Sequence, residues 1–415
     1  MTRSTNMSLL INISGFLDLF GVSMFIPLMS KYAKELGASP SMAGMLGSVY
    51  GLLQLFSSPV VGQWSDISGH RYVLILCLLI TAGGYFMMAL ATSLVFLAIA
   101  RILPGLFKHS QSIAKAYIAD VTPKEDQSAA FGTFAAYSSI GFIVGPLCGG
   151  HIASLPGGFS IVAAIGAFIF VINAAILWYF VPEAVPTKSE IDGITREEST
   201  VNLRRFNGDE LNFSPGQFID NFKKISWDLL WDIFLIKFLQ GFGVMIYRSN
   251  FILMLDYRYQ TTPAMNGYII SYSGIIGALS GFLVGKICGF YKNDAKLLCH
   301  TAIVQMFMFL ALTYAPSIWV LILFLTPLGV ANQVARVCVT NIMLRKSANT
   351  DTGALMGLGQ STMSLGRMLS PAIGGFAQEF SIYGPGWIAV GSAGLAVIIQ
   401  ILFLKDPQND KKKTN

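Results

Sequence analysis

Seven basic residues, Arg101, Lys108, Lys115, Lys237, Arg248, Arg336 and Arg367, fall within long apolar stretches whose only acid near the middle is Asp18. A charge in such a setting is unfavourable by several kcal/mol unless it meets water, a partner or a ligand. Each is therefore a candidate for chemistry. A buried carboxylate beside a base can switch between charged and neutral forms as its exposure alternates. Asp18 is the expected proton carrier, with Arg101 or Lys108 as its base. Setting Arg101, Lys108, Lys237 and Arg336 against Asp18 leaves three surplus positive charges, too costly to leave unneutralised in a low-dielectric site. An anionic or zwitterionic solute would complete the balance.

The bases are not scattered. At the α-helical period, Arg101, Lys108 and Lys115 fall within about 40° of one another and Lys237 and Arg248 within about 20°. Lys115 lies near a stretch end, where snorkelling to the interface is the expected behaviour, and Arg367 is expected either to pin helices or to meet solute. His109, next to Lys108, is read as a proton-linked group or a packing histidine.

Other chemistries lack their residues. Four histidines, at 70, 109, 151 and 300, form no pair at metal-ligand spacing. Cys77, Cys148, Cys288, Cys299 and Cys338 form no CxxC and resemble small core residues. Gly281-Phe-Leu-Val-Gly285-Lys286 is one residue short of a phosphate loop. No metal, nucleotide or other cofactor is expected, no nucleic acid is a partner despite the net charge of +6, and the chain is not an enzyme. Energy would come from an ion gradient.

The elements that must position these residues follow from composition. The 415 residues are 53% hydrophobic and 12% charged, with a mean hydropathy of +0.60, about half the charge of a soluble domain. A membrane span takes roughly 20 apolar residues. Windows of that length fall near 8 to 30, 41 to 63, 72 to 92, 95 to 118, 129 to 152 and 159 to 181, and again near 228 to 254, 266 to 289, 295 to 314, 317 to 343, 353 to 378 and 385 to 404. The expected fold class is an all-α membrane protein of twelve transmembrane helices, in two six-helix halves, 1–181 and 228–405. A polar cytoplasmic linker, 182–227, joins the halves, and a basic cytoplasmic tail, 406–415, follows. With both termini in the cytoplasm, that side collects eighteen Lys and Arg and the other only Lys31, Lys34 and Arg258, as the preference of basic loops for the cytoplasm requires.

The halves repeat. A shift of 225 carries Ala129, Gly132, Ser139, Gly141, Pro146, Gly149 and Gly150 onto Ala354, Gly357, Ser364, Gly366, Pro371, Gly374 and Gly375. A shift of 222 carries Phe20-Gly21-Val22 onto Phe242-Gly243-Val244 and places Asp18 on Gln240. Gly141, Gly145 and Gly149 share one helix face and permit close contact, while Pro146 removes a helix hydrogen bond. Their duplicate at Gly366, Pro371 and Gly374 favours a hinge or seal. Between the second and third spans, Gly62-Gln-Trp-Ser-Asp66-Ile-Ser-Gly69-His-Arg71 places an acid and a base at a tight turn, where they can latch neighbouring helices.

That loop, with Pro59 before it, resembles the cytoplasmic signature of the major facilitator superfamily. Leu17-Asp18-Leu-Phe-Gly21 to Pro27, Arg101-Ile-Leu-Pro-Gly105, Ala116-Tyr-Ile-Ala-Asp120-Val-Thr-Pro123 and Gly141-Phe-Ile-Val-Gly145-Pro146-Leu-Cys-Gly149-Gly150 resemble its tetracycline-type drug/proton antiporter branch. Closer likeness, in Gly15 to Met24, Leu36-Gly-Ala-Ser-Pro40, Phe107-Lys108-His109, Trp231 to Leu235 and Gly267 to Ser273, is to the subfamily of major facilitator superfamily domain-containing protein 9. Two departures weaken the latch: Ile67 and His70 stand where the family has arginines.

The resemblance implies a secondary transporter that moves a small organic solute by alternating access, coupled to protons in the manner of an antiporter. It also implies a central path lined by the first, fourth, seventh and tenth spans. Those spans carry Asp18, Arg101, Lys108, Lys237, Gln240, Arg248, Asn332, Gln333 and Arg336; Arg367 is added on the eleventh. Gly62, Asp66, Gly69, Arg71 and Asp120 would form a cytoplasmic gate. The partners are then the lipid bilayer, the solute and protons, and the chain is expected to be a monomer. A transporter-shaped sensor or scaffold is the alternative, favoured because Gly289 occupies the repeat position of Asp66 and leaves the latch in the first half only, and opposed by the retained buried charges.

Overall fold

The computed structural model describes residues 3–123, 126–182, 227–291, 293–346 and 352–404. Most of the expected linker, from 183 to 226, and the tail lie outside the described residues. Every regular element among those described is helical: α1 (Arg3–Glu35), α2 (Pro40–Ser68), α3 (His70–Ala89), α4 (Leu94–Phe107), α5 (Ser110–Val121), α6 (Gln127–Ala153), α7 (Gly158–Phe180), α8 (Trp227–Ser249), α9 (Phe251–Tyr259), α10 (Pro263–Tyr291), α11 (Asp294–Thr313), α12 (Ile318–Lys346), α13 (Thr352–Phe380) and α14 (Gly384–Phe403).

Ten of these helices are long and apolar enough to cross a membrane. The other two expected spans are real helical segments that depart from a simple apolar rod. The fourth is interrupted between α4 and α5, and the eleventh, α13, is continuous but carries Gln360, Arg367 and Gln378. Burial follows the same logic. Phe282, Phe290, Trp319 and Tyr179 are each more than 70% exposed, which in an aqueous protein would be an aggregation hazard and in a membrane chain is the lipid-facing surface.

Local sequence explains several helix ends. Ser93 caps α4 by accepting from Phe96 N–H, and Asn293 caps α11 by accepting from Lys296 N–H at 2.9 Å. Gly69 separates α2 from α3 at φ +90°, a backbone region that only glycine enters without strain.

The chain divides into two compact units, Met1–Ile26 with Leu53–Phe218, and Pro27–Leu52 with Ile219–Asn415. In the first, α3 packs against α7, α4 and α5, and α6 against α5 and α7. Its centre holds Phe25, Tyr85 and Phe170, with Tyr85 edge-on to Phe170 at 5.0 Å. In the second, α8 packs against α12, α13 and α14, and α11 lies against α12 and α14. One apolar core gathers around Leu298, Cys338 and Met343 and another around Ile246, Leu255 and Phe309.

Candidate functional site

Asp18, one of the most buried polar residues of the first unit, is 1% exposed on α1. Its carboxylate meets the Lys108 ammonium, accepts from Ser110 Oγ at 2.7 Å on the same oxygen, and accepts from Gln111 Nε2 at 3.0 Å on the other. Lys108 Nζ also donates to Ser110 Oγ at 2.7 Å and stands 5.0 Å from the centre of the Phe170 ring. Gln111 is held in turn by Ser138 Oγ and reaches Gly15 O. The carboxylate thus receives three donors in a dry setting, the condition for a stable buried charge.

The break between α4 and α5 makes this cluster. Lys108 leaves the helical region at ψ 67° and His109 follows at φ −115°, ψ 11°. Ser110 and Gln111 then open α5, so Asp18 meets first-turn side chains at the positive end of that helix dipole. The break itself is braced by Gln54 Nε2 donating to Lys108 O at 3.0 Å and by Ser57 Oγ against His109 Nε2 at 2.8 Å. The single stripe of Arg101, Lys108 and Lys115 presumed one unbroken helix, and the interruption overturns it. Arg101 is part-buried on α4, Lys115 is exposed on α5, and Lys108 is the base on Asp18.

The glycine face of α6 lies on the same helix that carries Asp18. A Cβ at Gly141 would collide with Phe16 O, at Gly145 with Ser23 Oγ, and at Gly149 with Met24 O. Ser23 Oγ donates to Gly141 O at 3.2 Å across the contact. The duplicate behaves alike in the second unit: a Cβ at Gly374 would strike Asn250 Nδ2 just past α8, and Gly366 faces Met245 Sδ on α8. Pro146 and Pro371 both lie inside their helices, and Gly150 is buried on α6.

In the second unit α8 carries Lys237, Gln240 and Arg248. Lys237 Nζ lies against Gly359 of α13, where any side chain would meet it. Gln240 is 5% exposed and its Nε2 has no hydrogen-bond partner among the described residues. Arg248 and Arg336 of α12 are near enough for their charges to act on one another. Among the described residues no carboxylate pairs with Lys237, Arg248, Arg336 or Arg367. Arg367 donates to Ser364 Oγ, Asn332 accepts from Gln305 Nε2 at 2.8 Å, and Gln333 Oε1 is buried without a partner among the described residues.

The loop between α2 and α3 departs from its expected wiring. His70 Nε2 stands 3.1 Å from Asp120 Oδ2 and 3.8 Å from Asp66 Oδ1, so the residue read as a weakening replacement is the one that bridges the two acids. Arg71 donates to Leu177 O and Trp178 O, the last carbonyls of α7, where a cation suits the helix dipole. Gly62 was expected to permit a close helix approach, yet a Cβ there would meet nothing within 4 Å. Gly69 is required for its φ.

The sequence profile of the Major Facilitator Superfamily matches residues 11–304 and 233–415. The chain belongs to the major facilitator superfamily. It is a multi-pass membrane transporter of that superfamily, whose members are transporters rather than enzymes. Multidrug resistance protein 2 of Bacillus subtilis (strain 168) is 26% identical over 407 residues, covering 96% of this chain and 95% of the relative. Quinolone resistance protein NorA of Staphylococcus aureus (strain MRSA252) is 23% identical over 392 residues, covering 93% and 94%. Among solved structures, a bacterial homologue of the human lysosomal transporter Spinster, inward-facing and occupied, superposes with TM-score 0.77 at 13% identity over 97% of both chains. The human organic anion transporter MFSD10 (TETRAN) superposes with TM-score 0.65 at 18% identity, over 97% of this chain and 100% of that one.

Some residues of this superfamily member escaped sequence reasoning. Ser110 and Gln111 complete the Asp18 cluster, but only the helix break places them there. Asp232 is a second buried acid, 4% exposed, paired with Lys346 Nζ at 2.5 Å. Its place in the first turns of α8, opposite the last turn of α12, hid it from a search for mid-span charge.

Proposed function

We propose that the chain is a proton-coupled transporter, antiport-like, for a small organic solute with an acid group, and that Asp18 and Lys108 carry the coupling. The single observation behind this reading is the Asp18 cluster. A deprotonated Asp18 is held by Lys108, Ser110 and Gln111; a proton on Asp18 releases the Lys108 ammonium. A plain anion drawn to the released ammonium would travel in the same direction as the proton. Antiport requires the solute to exclude the proton, as the ammonium of a zwitterion does when it takes the carboxylate. Antiport-like coupling and the cation surplus therefore favour a zwitterion. Lys237, Arg248 and Arg336 of the second unit, which meet no carboxylate among the described residues, support the acid group, and the likeness to the human organic anion transporter MFSD10 agrees.

The same reading places both termini in the cytoplasm, assigns Asp66, Gly69, Arg71 and Asp120 to a cytoplasmic gate joined by His70, and makes the α6 and α13 glycine faces hinges between alternating states of a monomer. The likeness to the domain-containing protein 9 subfamily rests on the motifs quoted above. In proteoliposomes, Asp18→Asn should abolish gradient-driven uptake while leaving counterflow exchange measurable, because the amide keeps the shape and loses the titration. Equal loss of both would make Asp18 structural. Reversing the imposed pH gradient reverses net flux of the solute, and wild-type uptake of cationic probes alone would refute the acid-group reading.

A further inference from the structure

Cys288, Asp294 and Cys338 are far apart in spacing and carry no metal motif, yet the fold gathers them. One ligand atom from each lies within 4.8 Å of the other two. Cys288 lies in the last turn of α10, Asp294 opens α11 and Cys338 sits within α12, so three helices of the second unit converge on one point. The two cysteine sulfurs lie within 4.8 Å of each other. Asn293 performs the N-cap of α11, which leaves the Asp294 carboxylate turned toward the thiols. That carboxylate is 10% exposed; among the described residues its Oδ2 accepts no hydrogen bond and its one ion-pair partner is the Arg345 guanidinium, 52% exposed, at 3.1 Å. Cys338 belongs to the same buried apolar core as Leu297, Leu298, Val339 and Ile342, and Cys288 packs against that core, the kind of apolar shell that limits solvent access to a coordination site.

We propose that Cys288, Asp294 and Cys338 form a binding site for a thiophilic divalent cation of the zinc class. Two thiolates and a carboxylate suit a borderline-soft ion, and tetrahedral zinc with sulfur at about 2.3 Å and oxygen at about 2.0–2.2 Å leaves its fourth position for water. A tetrahedron with those bonds has edges of roughly 3.4–3.8 Å, a modest contraction of the observed cluster. Binding releases both thiol protons to solvent. Two thiolates and one carboxylate then face a doubly charged ion, and the adjacent Arg345 brings the sum to neutral, which a buried site requires. The ion would staple the facing ends of α10, α11 and α12. This inference is independent of the transported solute, and so is its test.

The purified full chain, in detergent and freed of metal, is titrated with Cd2+ while the thiolate-to-cadmium charge-transfer absorption is followed, and Zn2+ is then added in competition. The expected result is one equivalent of Cd2+ bound through two thiolates and displaced by Zn2+. Cys288→Ser and Cys338→Ser should each lose the two-thiolate signal, Asp294→Asn should weaken binding at least tenfold, and Cys299→Ser should change nothing. Zn2+ should also raise the melting temperature of the wild type and slow alkylation of Cys288, readouts that need no variant to fold. A band that persists in the Cys288→Ser/Cys338→Ser double variant, or a wild type whose melting and alkylation ignore Zn2+, overturns the proposal.

Discussion

Replacing Lys108 by Met removes the ammonium and keeps a side chain of similar length and apolar stem. The perturbation is severe because both partners are dry: the Lys108 and Asp18 side chains are 8% and 2% exposed. Stranding one member of a buried pair destabilises by about 3–5 kcal/mol. Ser110 and Gln111 still donate to Asp18, so the lower end, about 3 kcal/mol, is expected. For a unit of this size that lowers the melting temperature by roughly 6–12 °C. Asp18→Asn strands the ammonium instead, and the Phe170 ring at 5.0 Å offsets that only in part. The double variant Asp18→Asn/Lys108→Met leaves a neutral amide with its Ser110 and Gln111 partners and no stranded charge. It should recover to within about 1 kcal/mol of the wild type. Thermal unfolding of the four purified proteins in one detergent closes the cycle, and uptake measured alongside should stay uncoupled in the double variant despite its restored fold. A Lys108→Met loss below about 1 kcal/mol, the range of solvent-exposed pairs, or strictly additive single effects, would refute the view that Asp18 and Lys108 form one dry unit.

Three further expectations rest on other parts of the molecule. Gly149→Val should destabilise by about 3 kcal/mol or more, because the new side chain collides with backbone at Met24 O rather than with a movable group; Gly62→Ala, which meets open space, should be neutral or slightly stabilising, and equal melting temperatures for the two would undo the packing argument. Burial pushes the Asp256 carboxyl up while the Lys34 hydrogen bond and the charges of Lys34 and Lys31 pull it down, with a net lowering, so its contribution is present above the ordinary carboxylate value of about 3.9 and fades as pH falls below it. The stability difference between wild type and Asp256→Asn should therefore be flat from about pH 5 to 8 and vanish in stronger acid; a change near neutrality would contradict it. In a background without other reactive thiols, Glu35→Cys should be labelled only from outside the cytoplasm and Glu210→Cys, in the linker, only from within; the opposite pattern would reverse the orientation drawn from basic loops.

The all-α membrane class, most of the spans and the α6 glycine face were legible in the sequence because each depends on properties local to the chain. Hydropathy over about 20 residues selects a span, and a four-residue repeat of glycines marks a face whatever it later touches. Asp18 stood out for the same reason: an acid amid apolar neighbours is conspicuous before any partner is known.

What Asp18 pairs with was not legible. Arg101 and Lys108 are equivalent candidates on an ideal helix, and the choice fell to Lys108 only when the chain broke after Phe107 and brought Ser110 and Gln111 to the same carboxylate. His70 looked like a defect in its motif until folding set Asp120 3.1 Å away. Asp232 with Lys346, and Cys288 with Asp294 and Cys338, joined across helices with no spacing to announce them. Periodicity reports which face of a helix is apolar; it carries no information on which distant face will lie opposite. That is decided by how whole helices pack, where a polar group excluded from water takes whichever partner the packing brings within reach.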